Sequence, residues 1–139
     1  MKIHLADRNL ETEKSAFVMG IINATPDSFF EKSRISQSLN ETIENSLKMI
    51  EDGADILDIG GESSKPGSEY ICENEEIDRV LPVVEGIRKF DKNIAISIDT
   101  RKTKVIKTCV NSGADILNDI SALEDGENIA EFVSESKHQ

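Results

Sequence analysis

The feature that most constrains the fold is a regular alternation of short apolar runs with longer stretches of helical periodicity. Four runs rich in Ile and Val are bounded by Gly, Pro, Asn or Asp, which is typical of β-strands. They show little alternation of apolar and polar residues, as is usual for strands buried on both faces of a parallel sheet. The predicted strands lie near 16–22, 55–59, 94–98 and 115–120.

The stretches that follow the predicted strands carry apolar residues every three or four positions, which predicts amphipathic helices. Pro82 lies inside the second pattern and predicts a kink there or a later helix start. The order β-α-β-α-β-α-β-α favours right-handed crossovers and a parallel sheet, so the predicted class is α/β in one domain, 1–139. The patterns cover Ile35–Ile50, Ile77–Ile87, Val105–Val110 and Ile129–Val133.

One pentapeptide, GADIL, occurs twice, at Gly53–Leu57 and 60 residues further along at Gly113–Leu117. In each copy Gly follows a predicted helix, where a left-handed residue commonly ends the helix. Asp-Ile-Leu then enters the second or the fourth predicted strand. The repeat therefore predicts one type of helix-to-strand joint that the chain uses twice.

The charge of the chain narrows the classes of partner. Among 139 residues the formal net charge is −11, which disfavours nucleic acids and anionic membranes because both are polyanions. A small anionic substrate is compatible with this charge, since helix N-termini, lysines or a bound cation make a site locally positive. We therefore expect small-molecule ligands.

Cysteine and histidine content argues against several kinds of site. Cys72 and Cys109 form no CxxC pair, so neither a disulfide framework nor a zinc site is expected. His4 and His138 lack a partner at triad or ligand spacing. The N-terminus lacks the apolar core of a signal peptide and no stretch is long enough to span a bilayer, so we expect a cytoplasmic protein.

Polar residues lie at the end of each predicted strand. Asn23, Asp99 and Asn118 come from three different strands, and the carboxyl ends of parallel strands form the ligand-binding mouth of α/β folds. Their oxygens and amides suit a polar heterocycle or a hard cation. Asp27 and Asp119 have an alternative role as turn or helix-cap residues.

The segment GGESSKPG after the second strand has two interpretations. Its glycines permit close approach of the backbone, and Ser63, Ser64 and Lys65 are suited to contact an anion. The alternative is a flexible loop rich in Gly and Ser. The spacing of a P-loop is absent, and so is a GxGxxG fingerprint.

Three separate strings, in order, resemble signatures of the dihydropteroate synthase family. They are MGIINATPDSFF (Met19–Phe30), GADILDIGGESSKPGS (Gly53–Ser68), and ISIDTRK with GADILND (Ile96–Lys102 and Gly113–Asp119). The family forms a (β/α)₈ TIM-type barrel, which typically needs about 250 residues. The resemblance thus implies that only about the first four βα units of that barrel are present in this chain.

The resemblance implies an enzyme, a transferase of folate biosynthesis. The amine of para-aminobenzoate displaces diphosphate from 6-hydroxymethyl-7,8-dihydropterin diphosphate and gives 7,8-dihydropteroate. By family match, Asp99 and Asn118 bind the pterin and Asn23 holds Mg²⁺ as the cofactor. The residues that would line the para-aminobenzoate and sulfonamide pocket are Phe29, Ser64 and Pro66. Lys65, in the same loop, is a further expected substrate-binding residue.

The chain departs from the family pattern at two loops. The family usually has Thr at the position of Ser64 and Arg at that of Lys65; Ser keeps the hydroxyl, whereas Lys loses the bidentate fork. After TPDSF the usual Gly-rich loop is replaced by FEKSR. Two alternatives remain open: a truncated pterin-binding fragment without turnover, and a methyltetrahydrofolate-binding methyltransferase domain. A longer polypeptide, a complementing chain or a second half from self-assembly, such as a homodimer, would have to complete an active barrel.

Overall fold

The computed structural model describes residues 1–5, 8–25, 32–63, 67, 69–124 and 128–135. Four parallel strands form one sheet in the order β3-β4-β5-β6, and helices connect them. The elements are β1 Lys2–His4, β2 Asn9–Glu11, β3 Met19–Asn23, α1 Lys32–Glu51, β4 Ile56–Gly60, α2 Glu73–Phe90, β5 Ala95–Asp99, α3 Thr103–Asn111, β6 Ile116–Asn118 and α4 Ile129–Glu135.

The alternating α/β order is as the sequence predicts, but the outer strands are shorter than predicted. The first begins at Met19 instead of residue 16, because the Val18 N–H already donates to the carboxylate of Asp55, 2.8 Å away. The fourth ends at Asn118 instead of residue 120. There the Asp119 carboxylate accepts hydrogen bonds from the backbone of Ser121 and Leu123, which turns the chain.

A short antiparallel hairpin, β1 with β2, precedes the parallel sheet and was not predicted. Its three-residue strands are mostly exposed and carry no apolar alternation that would mark them as strands. Arg8 ties the hairpin to the sheet by donating to the backbone carbonyls of Asn93 and Ile94 and to the carboxylate of Asp115. The hairpin therefore lies at the amino-terminal end of β5 and β6.

The hydrophobic core lies between the helices and one face of the sheet. Alternate strand residues fill it from the sheet side, and α2 contributes a continuous buried stripe in spite of Pro82. That helix begins at Glu73 and runs through the proline, so the expectation of a later start is wrong. The fully buried core residues include Leu57, Ile59, Ile96, Ile98, Val80, Val83, Val84 and Ile87.

The opposite face of the sheet carries three layers of side chains that the strand register defines. The layers differ in polarity, from apolar at the amino-terminal ends to polar at the carboxyl ends. Met19 and Ile21, on the edge strand β3, are 41% and 56% exposed. In order the layers are Met19–Ile56–Ala95, Ile21–Asp58–Ser97–Ile116 and Asn23–Gly60–Asp99–Asn118.

The two GADIL copies form the same helix-ending motif. Gly53 and Gly113 have φ of +102° and +106°, which a residue with a side chain rarely adopts. In the first copy the N–H of Gly53 donates to Ile50 and that of Ala54 donates to Met49, which is the Schellman pattern. The second copy makes the equivalent two bonds, so the predicted joint is confirmed at both places.

The aspartate of each copy fastens the joint to the strand next to it. The N–H of Asp55 donates to the Val18 carbonyl, and its carboxylate accepts from the Val18 N–H. Asp115 does the same with Ile96, at 2.8 Å and 2.9 Å. Each carboxylate also binds a cation: Lys14 lies 3.0 Å from Asp55, and Arg8 and Arg88 lie 3.1 Å and 2.9 Å from Asp115. We call these two sets of contacts the floor joints.

Candidate active site

The polar layer at the carboxyl ends of the strands brings together the three residues that the sequence singles out there. Asn23 pairs in register with Gly60, Gly60 with Asp99, and Asp99 with Asn118. Asn23 is exposed, whereas Asp99 and Asn118 are half-buried. Because Gly60 has no side chain, the space between Asn23 and Asp99 stays open. The predicted convergence of these strand ends is therefore present.

A second polar pair lies one layer deeper. Asp58 is 4% exposed and Ser97, its register partner, is fully buried. Asn118 donates from Nδ2 to Asp58 Oδ2 at 3.1 Å. Within the described residues, Asp58 Oδ1 and Ser97 Oγ have no hydrogen-bond partner. A buried polar atom without a partner is costly and marks places where a ligand or an ordered water binds.

Asp58 is a polar residue of the second strand that the sequence also brings towards the mouth, but it is not among the predicted binding residues. Ser97 had no role either. The strand register shows that the two side chains are neighbours, one layer below Asp99 and Asn118. An aspartate inside a doubly buried strand is the signal that would have identified the pair.

The electrostatics of this mouth are dominated by carboxylates. Burial raises the pKa of Asp99, and the negative charges of Asp58, Glu76, Asp119 and Glu62 raise it further. A carboxylate in such surroundings is stabilised by a ligand that donates hydrogen bonds or carries positive charge. The site is thus suited to the donor-rich edge of a heterocycle.

A cleft of about 230 Å³ opens beside Asp99. Its lining comes from the loop after β4 and from the segment after β5, and one exposed apolar residue, Ile120, borders it. The size is below that of a typical pocket for a whole drug-sized ligand, so the described half of the site covers only part of such a molecule. The lining residues are Glu62, Ser63, Tyr70, Asp99, Thr100, Arg101 and Ile120.

Four of the predicted binding residues lie outside the described residues. They follow β3 and β4 in the sequence, and their predicted roles in substrate binding stay predictions. These residues are Phe29, Ser64, Lys65 and Pro66.

One residue of the polar layer has the chemistry to bind a magnesium ion. Among the residues that the structure describes, no group of three or more His, Cys, Asp or Glu side chains could enclose a metal. Mg²⁺ commonly takes one or two protein oxygens and completes its octahedron with water and phosphate oxygens. The exposed carboxamide of Asn23 at the rim could supply one such oxygen.

None of the helices in the described ranges combines the length and the apolar character that crossing a bilayer requires.

Sequence comparison finds relatives over most of the chain. It is 45% identical over 118 residues to the dihydropteroate synthase of Bacillus subtilis, covering 85% of this chain and 41% of the relative. With the dihydropteroate synthase of Clostridium beijerinckii it shares 37% identity over 134 residues, covering 96% and 48%. The chain therefore spans less than half the length of these relatives.

Solved structures of dihydropteroate synthases share the fold. The Xanthomonas albilineans enzyme with 4-aminobenzoic acid matches with a TM-score of 0.83 at 35% identity, over 96% of this chain and 48% of that one. The Coxiella burnetii enzyme in complex with pteroic acid matches with a TM-score of 0.72 at 39% identity, over 88% and 42%. The four-stranded parallel sheet is accordingly part of a TIM-type barrel, as predicted.

The family assignment follows from the match to a family as a whole. The sequence model of the family described as pterin binding enzyme matches residues 19–139, which include the whole parallel sheet and the polar layer at its carboxyl end. This chain belongs to the pterin binding enzyme family.

Proposed function

We propose that the chain is the N-terminal half of a dihydropteroate synthase. In this reaction the amine of para-aminobenzoate attacks the methylene carbon of 6-hydroxymethyl-7,8-dihydropterin diphosphate, diphosphate leaves, and the amine loses a proton to give 7,8-dihydropteroate. The observation that carries the proposal is the polar layer of Asn23, Asp99 and Asn118 beside an open cleft. Relatives named dihydropteroate synthase at 44–45% identity support it.

Asp99 and Asn118 bind the pterin edge in this proposal. The side-chain amide of Asn118 donates from Nδ2 to Asp58, and its Oδ1 would serve as the acceptor for the pterin. Asp99 supplies a carboxylate whose ionised form is destabilised by burial and by four neighbouring negative charges, and donors on the ligand would relieve this cost. Pteroic acid and 4-aminobenzoic acid in structures of similar enzymes support the choice of substrates.

Departure of the diphosphate demands positioning and charge stabilisation more than proton transfer. The chain contributes Asn23 at the rim, which would hold one position of a Mg²⁺ ion. Bound Mg²⁺ neutralises charge on the leaving diphosphate. Phe29, Ser64 and Pro66 would border the para-aminobenzoate, and Lys65 would bind substrate from the same loop as Ser64. We expect inhibition by a sulfonamide, since a similar enzyme of Yersinia pestis was solved with a sulfonamide drug.

In this proposal further βα units complete the barrel. The inner face of the sheet leaves Met19 and Ile21 exposed, and an apolar cleft of about 570 Å³ is lined by Met19, Ile56 and Ile116, among others. We propose that a complementing half-barrel covers this face; self-association into a homodimer is the alternative occupant. A cytoplasmic location belongs to the same proposal.

A fusion protein tests the proposal. Residues 1–139 are joined to the remaining C-terminal half of the Bacillus subtilis enzyme, and formation of 7,8-dihydropteroate is measured with Mg²⁺ and both substrates. We expect turnover that a sulfonamide inhibits and that the Asp99→Asn variant loses. A folded fusion without turnover would contradict the proposal. Tighter binding of methyltetrahydrofolate than of the pterin diphosphate would favour the methyltransferase alternative.

A further inference from the structure

A buried aspartate lies one layer below the polar layer. Asp58 is 4% exposed and stands in β4 between Leu57 and Ile59, which are both fully buried in the core. Its own side chain lies on the opposite face of the sheet, where its register partner on β5 is the fully buried Ser97. Burying an ionised carboxylate is expensive unless hydrogen bonds or an opposite charge compensate for it. The position of Asp58 therefore needs an explanation other than packing.

Among the described residues, Asp58 forms no salt bridge that would compensate for its burial. Lys102, the buried lysine after β5, lies 2.8 Å from Glu62 and 2.6 Å from Glu76 instead. What Asp58 does bind is the side chain of Asn118, whose Nδ2 donates to Asp58 Oδ2 at 3.1 Å. The buried carboxylate is thus hydrogen-bonded to a residue of the polar layer.

This hydrogen bond joins two strands that are not neighbours. Asp58 is on β4, Asn118 is on β6, and β5 lies between them. The backbone of Asn118 is fixed separately, because it pairs in register with Asp99 and its carbonyl accepts from the N–H of Thr100 at 3.1 Å. With the strand held in this way, the freedom that remains to Asn118 is rotation of its side chain. Asp58 acts on that rotation.

A carboxylate as the partner decides which end of the amide faces the ligand. The carboxamide of Asn118 has a donor end, Nδ2, and an acceptor end, Oδ1, of nearly the same shape, so a half turn about Cβ–Cγ exchanges them. An ionised carboxylate only accepts hydrogen bonds. In the turned amide Oδ1 would oppose Oδ2 of Asp58, and a buried acceptor would lose its donor. The Nδ2 end is therefore held toward Asp58, and the Oδ1 end is directed away from it.

Asp58 also acts on the polar layer through its charge. Burial raises the pKa of Asp99, and the charge of Asp58 is the largest among the neighbouring negative charges that raise it further. This effect depends on the charge alone, whereas the orientation of Asn118 depends on a hydrogen-bond acceptor. Two substitutions separate the two effects, because Asn at position 58 keeps an acceptor without the charge and Leu keeps neither.

We propose that Asp58 is a positioning residue for the pterin site, whose hydrogen bond fixes the side-chain amide of Asn118 so that Oδ1 faces the ligand. The inference rests on the proposed function, in which Asp99 and Asn118 bind the pterin edge. The polar layer then presents two acceptors, the Asp99 carboxylate and Asn118 Oδ1, and selects a ligand edge that brings hydrogen-bond donors to both. Asp58 acts through Asn118 and touches no substrate itself.

The first experiment needs no ligand and is made on the 139-residue chain. Nuclear magnetic resonance relaxation gives the order parameter of the Asn118 side-chain NH2 group, whose signal the Asn118→Ala variant identifies. For wild type and for a control, Asp52→Asn, which removes the charge of an exposed residue, we expect a rigid group with an order parameter of about 0.85. For Asp58→Leu we expect a value below about 0.6, because the amide has lost its acceptor. Equal values in all three proteins would overturn the proposal.

The second experiment is calorimetric titration of the fusion protein with the pterin diphosphate. For Asp58→Leu we expect a dissociation constant about tenfold higher. For Asp58→Asn we expect an increase of only about twofold, because the new amide accepts from Asn118 in one of its two orientations, which halves the competent population. The urea midpoint of Asp58→Leu should not fall, since an apolar residue of similar volume replaces a buried charge. Equal weakening in both variants would assign the effect to charge, and a matching loss of stability would assign it to the fold; either result would overturn the positioning role.

A double-mutant cycle shows whether Asp58 acts through Asn118. In the Asn118→Ala background we expect Asp58→Leu to change the dissociation constant by less than about twofold, because the side chain that Asp58 orients is gone. A further tenfold loss in that background would contradict the proposal, since Asp58 would then act on the ligand by another route. If wild-type fusion binds no pterin, the proposed function fails, while the order parameter still decides whether Asp58 orients Asn118.

Discussion

Aspartates at the two ends of the parallel sheet differ in their hydrogen-bond and charge partners. At the amino-terminal end, Asp55 and Asp115 in the floor joints accept backbone hydrogen bonds and bind cations. At the carboxyl end, Asp58 keeps an unpartnered oxygen within the described structure, and Asp99 faces other carboxylates. At the amino-terminal end the aspartates find their hydrogen-bond donors and cations within the described chain. At the carboxyl end the aspartates lack such partners there and are suited to bind a ligand.

The pKa shifts express this contrast. The hydrogen bond from Val18, with help from Lys14, lowers the pKa of Asp55 in spite of partial burial. Burial and neighbouring negative charges raise that of Asp99. In this sheet the same residue type therefore stabilises the fold at the floor and opposes folding at the mouth, which is the usual relation between structural and ligand-binding ends of a barrel.

The largest effect is expected from removing the second floor joint with Asp115→Ala. The substitution leaves Arg8 and Arg88 without their shared carboxylate and removes the acceptor for the Ile96 N–H. We expect a loss of about 3 kcal/mol in the free energy of unfolding, as for a broken, largely buried ion pair. Urea unfolding measures this loss, with the exposed Asp52→Ala as control. A cost as small as that of the control would contradict the claim that the floor joint stabilises the fold.

At the mouth, Asp99→Asn is expected to impair binding without harming the fold. Loss of a charged hydrogen-bond acceptor should weaken pterin binding by about 1.5–3 kcal/mol, or roughly 10- to 150-fold. Calorimetric titration of the fusion protein with the pterin diphosphate checks this. Affinity that stays within twofold of wild type would mean that Asp99 does not contact the ligand.

The first floor joint should show a smaller effect that depends on pH. Because the folded pKa of Asp55 is depressed, its stabilisation is present above the ordinary value of about 3.9 and is lost as pH falls through the folded value. Asp55→Ala should cost about 1–2 kcal/mol at pH 7 and progressively less below pH 4. Unfolding curves between pH 7 and pH 3 test this; a cost that does not change with pH would contradict it.

The smallest effect should separate the two copies of the pentapeptide. An added Cβ at Gly113 would meet Arg88 Nε at 3.0 Å, whereas at Gly53 the nearest atom is Lys14 Nζ at 3.9 Å. Both substitutions to Ala incur the strain of a positive φ, about 1 kcal/mol. Gly113→Ala should cost a further increment of about 0.5–1 kcal/mol by disturbing Arg88. Equal thermal midpoints for the two variants would show that Arg88 adapts freely.

The fold was predictable because its signals are local. Apolar runs and helical periodicity identify the four strands and their helices, and the glycine of each GADIL copy identifies the helix end. The hairpin was missed because its strands are short and polar, and the strand ends at Met19 and Asn118 depend on side-chain bonds from Asp55 and Asp119. Contacts between side chains that are distant in sequence cannot be predicted from local sequence patterns.

Of the candidate site, the sequence predicts only that the residues of the polar layer lie close together. Asn23, Asp99 and Asn118 converge because parallel strands align their carboxyl ends, which topology alone implies. Lys102 meets Glu62 and Glu76 across 40 and 26 residues of sequence, and no spacing rule connects them. Asp58 and Ser97 likewise become neighbours only through the register of β4 and β5.

A direct comparison of two isosteric variants tests whether the ends of the sheet differ as described. The free energies of unfolding of Asp99→Asn and Asp115→Asn are measured at pH 7 by urea titration of the 139-residue chain. Burial and neighbouring negative charges raise the pKa of Asp99, so its carboxylate form destabilises the folded state, and this cost appears as pH rises through the folded pKa. Removing the charge with Asp99→Asn should therefore increase the free energy of unfolding. Asp115→Asn should decrease stability, because two arginines lose their counterion. Opposite signs are the predicted result, and a loss of stability in both variants would contradict it.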